Sequence, residues 1–180
     1  MKKVILLDRD GVINQDSLHY IKSVDEFIVL PGSIAAIARL TQAGYVIGVA
    51  TNQSGITRGL YTADELAAIH NKLINLVEQA GGRIDAIEFC PHLPETGCGC
   101  RKPAPGMLMA LAKRFGRADL TDVYFVGDRV SDIEAAQAAG ASPILVLSPM
   151  TDRVALLKHQ DVPVFRSLAE WVDSLLAEPC

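Results

Sequence analysis

Two aspartates one residue apart, in the string Asp8-Arg9-Asp10-Gly11, follow directly on the apolar run Val4-Ile5-Leu6-Leu7. Crowding acids at the end of a buried segment costs free energy unless a cation lies among them. If Val4 to Leu7 is a strand, the two acids flank Arg9 at its carboxyl end, where open α/β sheets place their ligands. Two acids there can share a divalent cation and divide nucleophilic and proton-transfer work between them. The plainer alternative is a turn, because Asp and Gly are ordinary turn residues. Other apolar runs are also followed by polar groups: Thr51-Asn52-Gln53-Ser54, then Arg101-Lys102, then Gly127-Asp128 with Asp132 downstream. Each taken alone has an ordinary reading: Thr51 as a β-former, Lys102 as a solvated charge, Asp132 as an acid favoring the start of a helix.

The elements that must position these residues alternate along the chain. Strand-like runs recur at Val4 to Leu7, Tyr45 to Ala50, Ile84 to Phe89, Val123 to Val126 and Ile144 to Leu147, with amphipathic segments between them. That alternation predicts an α/β fold, a three-layer Rossmann-like parallel sheet covered by helices. The first helix is predicted from Ser33, after Pro31-Gly32, to about Ala43. A second starts at Thr62, whose Thr62-x-x-Glu65 spacing makes a capping box, and ends before Gly81-Gly82. A third follows Pro105 and stops near Gly116, a fourth covers Ser131 to Ala139, and a last begins at Ser167 with Glu170 three residues on. Three long connections, Arg9 to Leu30, Asn52 to Tyr61 and Pro91 to Ala104, each follow a strand and so gather at one edge of the sheet. No segment is large enough for a second domain, so residues 1–180 read as a single domain with a minimal, loop-only cap.

Composition narrows the class further. The chain has 180 residues, 49% of them hydrophobic, which is enough for a full core. A net charge of −4 gives no general attraction to nucleic acid or an anionic membrane, so any positive site must be local. No apolar run is long enough to span a bilayer, and Met1-Lys2-Lys3 leads straight into the first strand, so a cytoplasmic protein without a signal peptide is expected. No obligate protein partner is evident. Of the four cysteines, Cys180 ends the chain with no assigned role, while Cys90-Pro91-His92 and Cys98-Gly99-Cys100 cluster. Three thiolates and one imidazole make a closed Cys₃His set, which suits structural Zn²⁺ and leaves no position for substrate. Such a zinc staple would fix the loop that carries Arg101 and Lys102; the alternative is a pair of buried thiols beside a surface histidine.

Taken together and in order, the DxDG string at Asp8, the strand-terminal Thr51, Lys102, and the GDxxxD string from Gly127 to Asp132 resemble the haloacid dehalogenase superfamily of phosphotransferases. The resemblance implies that Asp8 attacks a phosphate monoester to form an aspartyl-phosphate. It implies that Asp10 protonates the leaving alkoxide and then takes a proton from the water that hydrolyses the intermediate. Mg²⁺, which prefers about six oxygens, would be held by the carboxylates of Asp8 and Asp128 and the main-chain carbonyl of Asp10, with Asp132 behind them. Lys102 and the Thr51 hydroxyl would hold the equatorial phosphoryl oxygens. Dehalogenases of the superfamily lack the second aspartate because a halide needs no proton, so Asp10 argues for phosphate esters. Mutases and ion pumps carry large inserted domains; their absence leaves a site open to water and implies a phosphatase.

The zinc loop narrows the resemblance to a subgroup containing D-glycero-D-manno-heptose 1,7-bisphosphate 7-phosphatases and histidinol-phosphate phosphatases. The segments Thr51 to Gly59 and Lys102 to Met107 look like the heptose enzymes. Arg129 and Cys90-Pro91-His92-Leu93-Pro94 resemble the histidinol group, and the tail after Leu147 lacks a Lys-Thr-Gly-Lys stretch common in heptose enzymes. A basic rim of Arg58, Arg101, Lys102 and Arg129 suits a sugar with a second phosphate better than cationic histidinol. By resemblance, Asp16 with His19 or Tyr20, together with Asn52, Gln53 and Ser54, would bind sugar hydroxyls; Tyr20 reads equally as a packing aromatic. The expected activity is removal of the 7-phosphate from a phosphorylated heptose that supplies nucleotide-activated heptose for lipopolysaccharide or other surface glycans. The alternatives are histidinol-phosphate hydrolysis, phosphoryl transfer to an alcohol, and a noncatalytic zinc-dependent binding module, the last disfavored by the acidic balance and the lack of aromatic stacking surfaces.

Overall fold

All four side chains of the first strand, β1 (Val4–Leu7), are buried, and their alternation sorts them between two cores. Ile5 and Leu7 join a cluster with Ala36, Ile37, Ile69, Leu73, Leu168 and Trp171, while Val4 and Leu6 join one with Met107, Leu108, Leu111 and Ala136. A strand apolar on both faces needs helices on both, and the chain supplies them. The computed structural model describes residues 1–177, so Cys180 lies outside the described residues.

Among these residues α1 (Ser33–Gln42), α2 (Ala63–Gln79) and α6 (Leu168–Ala177) cover one face, and α3 (Gly106–Arg114) and α4 (Val130–Ala139) the other. Between them lie β2 (Val46–Asn52), β3 (Ala86–Cys90), β4 (Tyr124–Gly127), β5 (Ser142–Val146) and β6 (Val164–Phe165), with the single-turn helix α5 (Arg153–Leu156) before β6. The sheet order is β3-β2-β1-β4-β5-β6, and every pairing is parallel. The chain runs outward through β2 and β3, then returns to lay β4 on the other side of β1. The carboxyl ends of β1 and β4 therefore border the switch point at which such sheets open a crevice. No described helix is long and apolar enough to cross a membrane.

The five expected strands and five expected helices are present, with boundaries shifted by a few residues. One shift matters for chemistry: β2 runs through Thr51 and Asn52, because pairing continues as Thr51 with Phe89 and Asn52 with Cys90. Those side chains thus stand on a strand rather than in a loop. The Thr62 capping box forms, its hydroxyl accepting from Glu65 N at 3.1 Å and its own N–H donating to Glu65 at 2.7 Å. Neither α5 nor β6 was expected; a single turn and a two-residue strand are too short to display a period. The long connection after β1 is a closed structure of its own. Gln15 N donates to Ile28 O at 2.8 Å and Leu30 N to Ile13 O at 2.9 Å, and Ile21 and Phe27 are buried in the core. Lys72 of α2 donates to the carbonyls of Val24 and Phe27 at 2.9 and 3.0 Å, which ties this loop to the helix layer.

Leu6 has no exposed surface and packs in the core beneath α3. Replacing it with alanine is expected to cost about 2–5 kcal/mol of unfolding free energy in a denaturant titration; a loss below about 1 kcal/mol would mean that the sheet can close over the cavity.

Candidate active site

The Lys102 ammonium lies 2.9 Å from Asp8 Oδ1 and 2.8 Å from Asp132 Oδ1, and it donates to the Ala50 carbonyl at 2.9 Å. All three side chains are buried, and Asp128 beside them has no exposed surface. They arrive from three strand ends: Asp8 after β1, Lys102 from the loop after β3, and Asp128 after β4 with Asp132 in the first turn of the α4 that follows. Asp132 Oδ2 also accepts from the N–H groups of Asp128 and Arg129, both at 3.1 Å, so it holds the turn that aims Asp128. Gly127 permits this approach, because a Cβ there would stand 2.2 Å from Asp132 Cβ. Gly11 is required twice over: its φ is +84°, and a Cβ would lie 2.1 Å from Asp128 Oδ2.

The cluster carries more negative than positive charge. Burial pushes Lys102 down, but the carboxylates of Asp132 and Asp8 outweigh it and hold the ammonium above its ordinary range. Asp8 is raised well above the usual carboxylate value, first by burial and then by Asp132, against the pull of Lys102. Asp128 is pushed up to about 7 by burial and by Asp132, against a hydrogen bond from Ser148. Asp128 Oδ1 is buried without a hydrogen-bond partner, and the ligand oxygens of Asp8, Asp128 and Asp132 lie within 4.8 Å of one another. Hard oxygen donors in excess of local positive charge fit a divalent cation such as Mg²⁺.

Asp10 stands apart from that cluster. Its Oδ1 accepts from Arg9 Nη2 at 2.8 Å, Arg9 Nε at 3.2 Å and Asn14 Nδ2 at 2.9 Å, and its Oδ2 from Gln53 Nε2 at 3.1 Å. Burial raises Asp10, but the Arg9 charge and the hydrogen bonds from Asn14, Arg9 and Gln53 prevail and hold it below the ordinary value. Thr51, buried on β2, accepts from Gln53 Nε2 at 2.9 Å.

The cysteine cluster converges. The Cys90–Cys98 and Cys98–Cys100 sulfur separations are 3.6 Å, Cys90–Cys100 is 2.9 Å, and His92 Nδ1 lies 3.3 Å from Cys90 and 3.2 Å from Cys100. Zinc–sulfur bonds of about 2.3 Å give a tetrahedron with edges of roughly 3.8 Å, so these four donors are compatible with zinc. The same loop is pinned to β2. Asn52 accepts from Lys102 N at 3.0 Å and donates to Lys102 O at 3.2 Å, which fixes the backbone of the lysine.

A cavity of about 530 Å³ opens over these groups, lined by Asp8, Asp10, Thr51, Asn52, Lys102 and Asp132 below and by Asp16, Arg58, Arg101 and Arg129 above. Arg129 is paired with Asp16 at 2.8 Å, and Arg101 donates to the His92 carbonyl at 3.3 Å. Ser54 lines the cavity near Arg58, 3.5 Å from its Nε. Of the two first-loop options, Tyr20 lines the cavity and His19 does not. Gln53 lines the cavity as well. It is 3% exposed, its amide nitrogen donates to Asp10 and Thr51, and its oxygen accepts from Tyr61 at 2.5 Å, so its polar atoms are committed to protein.

Five residues of the site went unread in the sequence. Asn14 and Tyr61 brace Asp10 and Gln53; His70 meets Arg9 Nη1 at 3.1 Å; Ser148 Oγ donates to Asp128 Oδ2 at 2.6 Å, and Thr151 Oγ1 to the Asp128 carbonyl at 2.6 Å. Ser148 had a usable signal, since it follows the fifth strand at the edge where the other ligands stand. His70 had none, being one polar residue on the apolar face of a helix.

The HAD-hydrolase-like family model matches residues 99–171. The chain is 52% identical over 145 residues to a D-glycero-β-D-manno-heptose-1,7-bisphosphate 7-phosphatase of Pseudomonas aeruginosa, covering 81% of each chain. It is 44% identical over 180 residues to an enzyme of the same name from Neisseria meningitidis, covering 98% of this chain and 96% of the relative. A crystal structure of D,D-heptose 1,7-bisphosphate phosphatase from Bordetella bronchiseptica, complexed with magnesium and phosphate, superposes with a TM-score of 0.90 at 47% identity, covering 98% of this chain and 99% of that one.

His70 is driven down to about 3 by burial and by Arg9, so it stays neutral in the folded protein while an unfolded chain protonates it near pH 6.5. Its contribution to stability is fully present above pH 6.5 and is lost as pH falls from there toward 3. Thermal melts across that range should show a shallower acid-side decline for His70→Gln than for the parent; parallel curves would contradict a buried neutral imidazole.

Proposed function

The chain belongs to the heptose 1,7-bisphosphate 7-phosphatase family of HAD-like hydrolases, and from that premise we propose that it removes the 7-phosphate of D-glycero-D-manno-heptose 1,7-bisphosphate. The observation that carries the reading is Lys102 between Asp8 and Asp132 at the floor of an arginine-rimmed cavity. Asp8 Oδ attacks phosphorus in line while the ester oxygen leaves, giving an aspartyl-phosphate. The leaving oxygen takes its proton from Asp10, whose resting ionisation is offset when a dianionic phosphate arrives and raises it. Asp10, again a carboxylate, then takes a proton from the water that attacks the phosphorus, and Asp8 is released. Lys102 and the Thr51 hydroxyl hold phosphoryl oxygens as charge shifts onto them. Asp8, Asp128 and the Asp10 carbonyl, with Asp132 behind them, would hold Mg²⁺, whose charge would keep the carboxylates ionised and screen the phosphoryl group.

Arg58, Arg101 and Arg129, which line the cavity, would meet the second phosphate, while Asp16, Asn52 and Ser54, also in its lining, would bind sugar hydroxyls. Gln53 is read as a brace for Asp10 rather than a sugar contact. Three arginines at the mouth disfavor cationic histidinol phosphate. The product, a heptose 1-phosphate, retains the group needed for nucleotide activation on the way to surface glycans. Zn²⁺ on Cys90, His92, Cys98 and Cys100 serves to hold the loop bearing Arg101 and Lys102, and reduced thiols suit a cytoplasmic setting.

Phosphate release should be measured over both anomers of heptose 1,7-bisphosphate, sugar monophosphates and histidinol phosphate. The β anomer named for the relatives should be favored, and Asp8→Asn should lose at least ~10³-fold in kcat; histidinol phosphate turned over in preference to the heptose would overturn the substrate assignment. Elemental analysis should find about one zinc per chain from one four-ligand set, lost in the Cys98→Ser, Cys100→Ser double variant. Full zinc in that variant would refute the ligand assignment.

A further inference from the structure

Arg9 has no exposed surface, and its charge must be satisfied from within the protein. Two of its N–H groups go to Asp10 Oδ1, at 2.8 and 3.2 Å, and Nη1 lies 3.1 Å from His70 Nε2, with the guanidinium 5.7 Å from the centre of the Phe27 ring. A guanidinium only donates, so His70 Nε2 is the acceptor and its proton sits on Nδ1. His70 lies on α2, 61 residues away from Arg9 in sequence and 7% exposed. The other side of Asp10 is held in the same manner: Gln53 reaches Oδ2 and is itself anchored by Tyr61, just ahead of α2. One segment of chain thus braces both oxygens of Asp10 through intermediaries.

We propose that His70 is a positioning residue for proton transfer: as a neutral acceptor it fixes the plane of the Arg9 guanidinium and so aims the Asp10 carboxyl at the leaving oxygen. The inference rests on the phosphatase reading above, in which Asp10 is the acid. Without an acceptor at position 70, one N–H of a buried cation is left unpaired, and the guanidinium must turn to find another partner. The Asp10 carboxyl then keeps Asn14 and Gln53 but loses the fork that sets its angle. An apolar side chain of similar volume would fill the space without restoring that aim. Burial and the Arg9 charge keep His70 neutral, which preserves its role as acceptor at ordinary pH.

The test compares two esters on the zinc- and magnesium-loaded full chain: heptose 1,7-bisphosphate, whose alkoxide needs a proton, and 2,4-dinitrophenyl phosphate, whose phenolate leaves without one. The ratio kcat/KM reports only steps through loss of the leaving group. Asp10→Asn is the reference and should depress the heptose ester far more than the aryl ester. His70→Leu is expected to lower kcat/KM about 10–100-fold on the heptose ester and less than about 3-fold on the aryl ester, and His70→Gln, which offers an amide oxygen, should recover most of the loss. Arg9→Lys keeps the charge but cannot hold Asp10 and His70 together, and should show the same selective loss even if His70→Leu does not fold. Equal losses on both esters in the His70 and Arg9 variants, or no loss at all, would overturn the positioning role while leaving the phosphatase reading intact. An Asp10→Asn variant that does not discriminate between the esters would instead overturn the assignment of Asp10, and this inference with it.

Discussion

One buried ammonium among three buried carboxylates governs this molecule. Lys102 pairs with Asp8 and Asp132 at 2.9 and 2.8 Å, and Asp128 stands beside them with a carboxylate oxygen lacking any hydrogen bond. Desolvating four charges is costly, and one cation does not neutralise three anions. The arrangement persists because Asp8 and Asp128 follow strand ends, Asp132 stands in the first turn of α4 and Lys102 in a pinned loop, each held by backbone groups or neighboring side chains. What remains is an anionic floor in a cavity with a cationic rim, which suits a divalent cation below and a phosphorylated sugar above.

The loop after β3 turns this electrostatic demand into geometry. Lys102 has to reach under the cavity from a long connection, and such connections are ordinarily mobile. Here the four Cys and His donors converge immediately before it, and Asn52 clasps its backbone on both sides. The Cys/His cluster and Lys102 are thus parts of one unit docked on β2. Asp10 is treated differently. Arg9, Asn14 and Gln53 hold its carboxyl, whereas Asp8 joins the buried carboxylates around Lys102, so the two aspartates of the opening motif have opposite environments despite their proximity in sequence. In the proposed mechanism, that separation would let one act on phosphorus and the other on protons.

Much of this was legible in the sequence because it rests on local, periodic signals. Alternating apolar runs announced a parallel sheet, strand-terminal polar groups marked its working edge, and the Cys-x-His and Cys-x-Cys spacing named a tetrahedral donor set. Asp8, Asp10, Thr51 and Asp128 stand out in the sequence because each sits at or just past a strand end, and Lys102 and Asp132 because they follow in the loop and helix beyond. The contacts of Gln53 were hidden for the complementary reason: its place after β2 is visible in sequence, but the direction of its amide, toward Asp10, Thr51 and Tyr61, is not. Ser148 and Thr151, which orient Asp128, sit in a tail whose short elements show no period.

By itself, the sequence determined the layered sheet, the order of its chemical groups and the donor types, since periodicity and residue chemistry are properties of neighbors along the chain. Only the tertiary structure decided which partners those groups meet. The pairing of Arg9 with His70, of Arg129 with Asp16, and of Lys102 with both Asp8 and Asp132 joins residues far apart in sequence. Such contacts depend on strand order and on the packing of helices over the sheet, and no local pattern of residues carries that information.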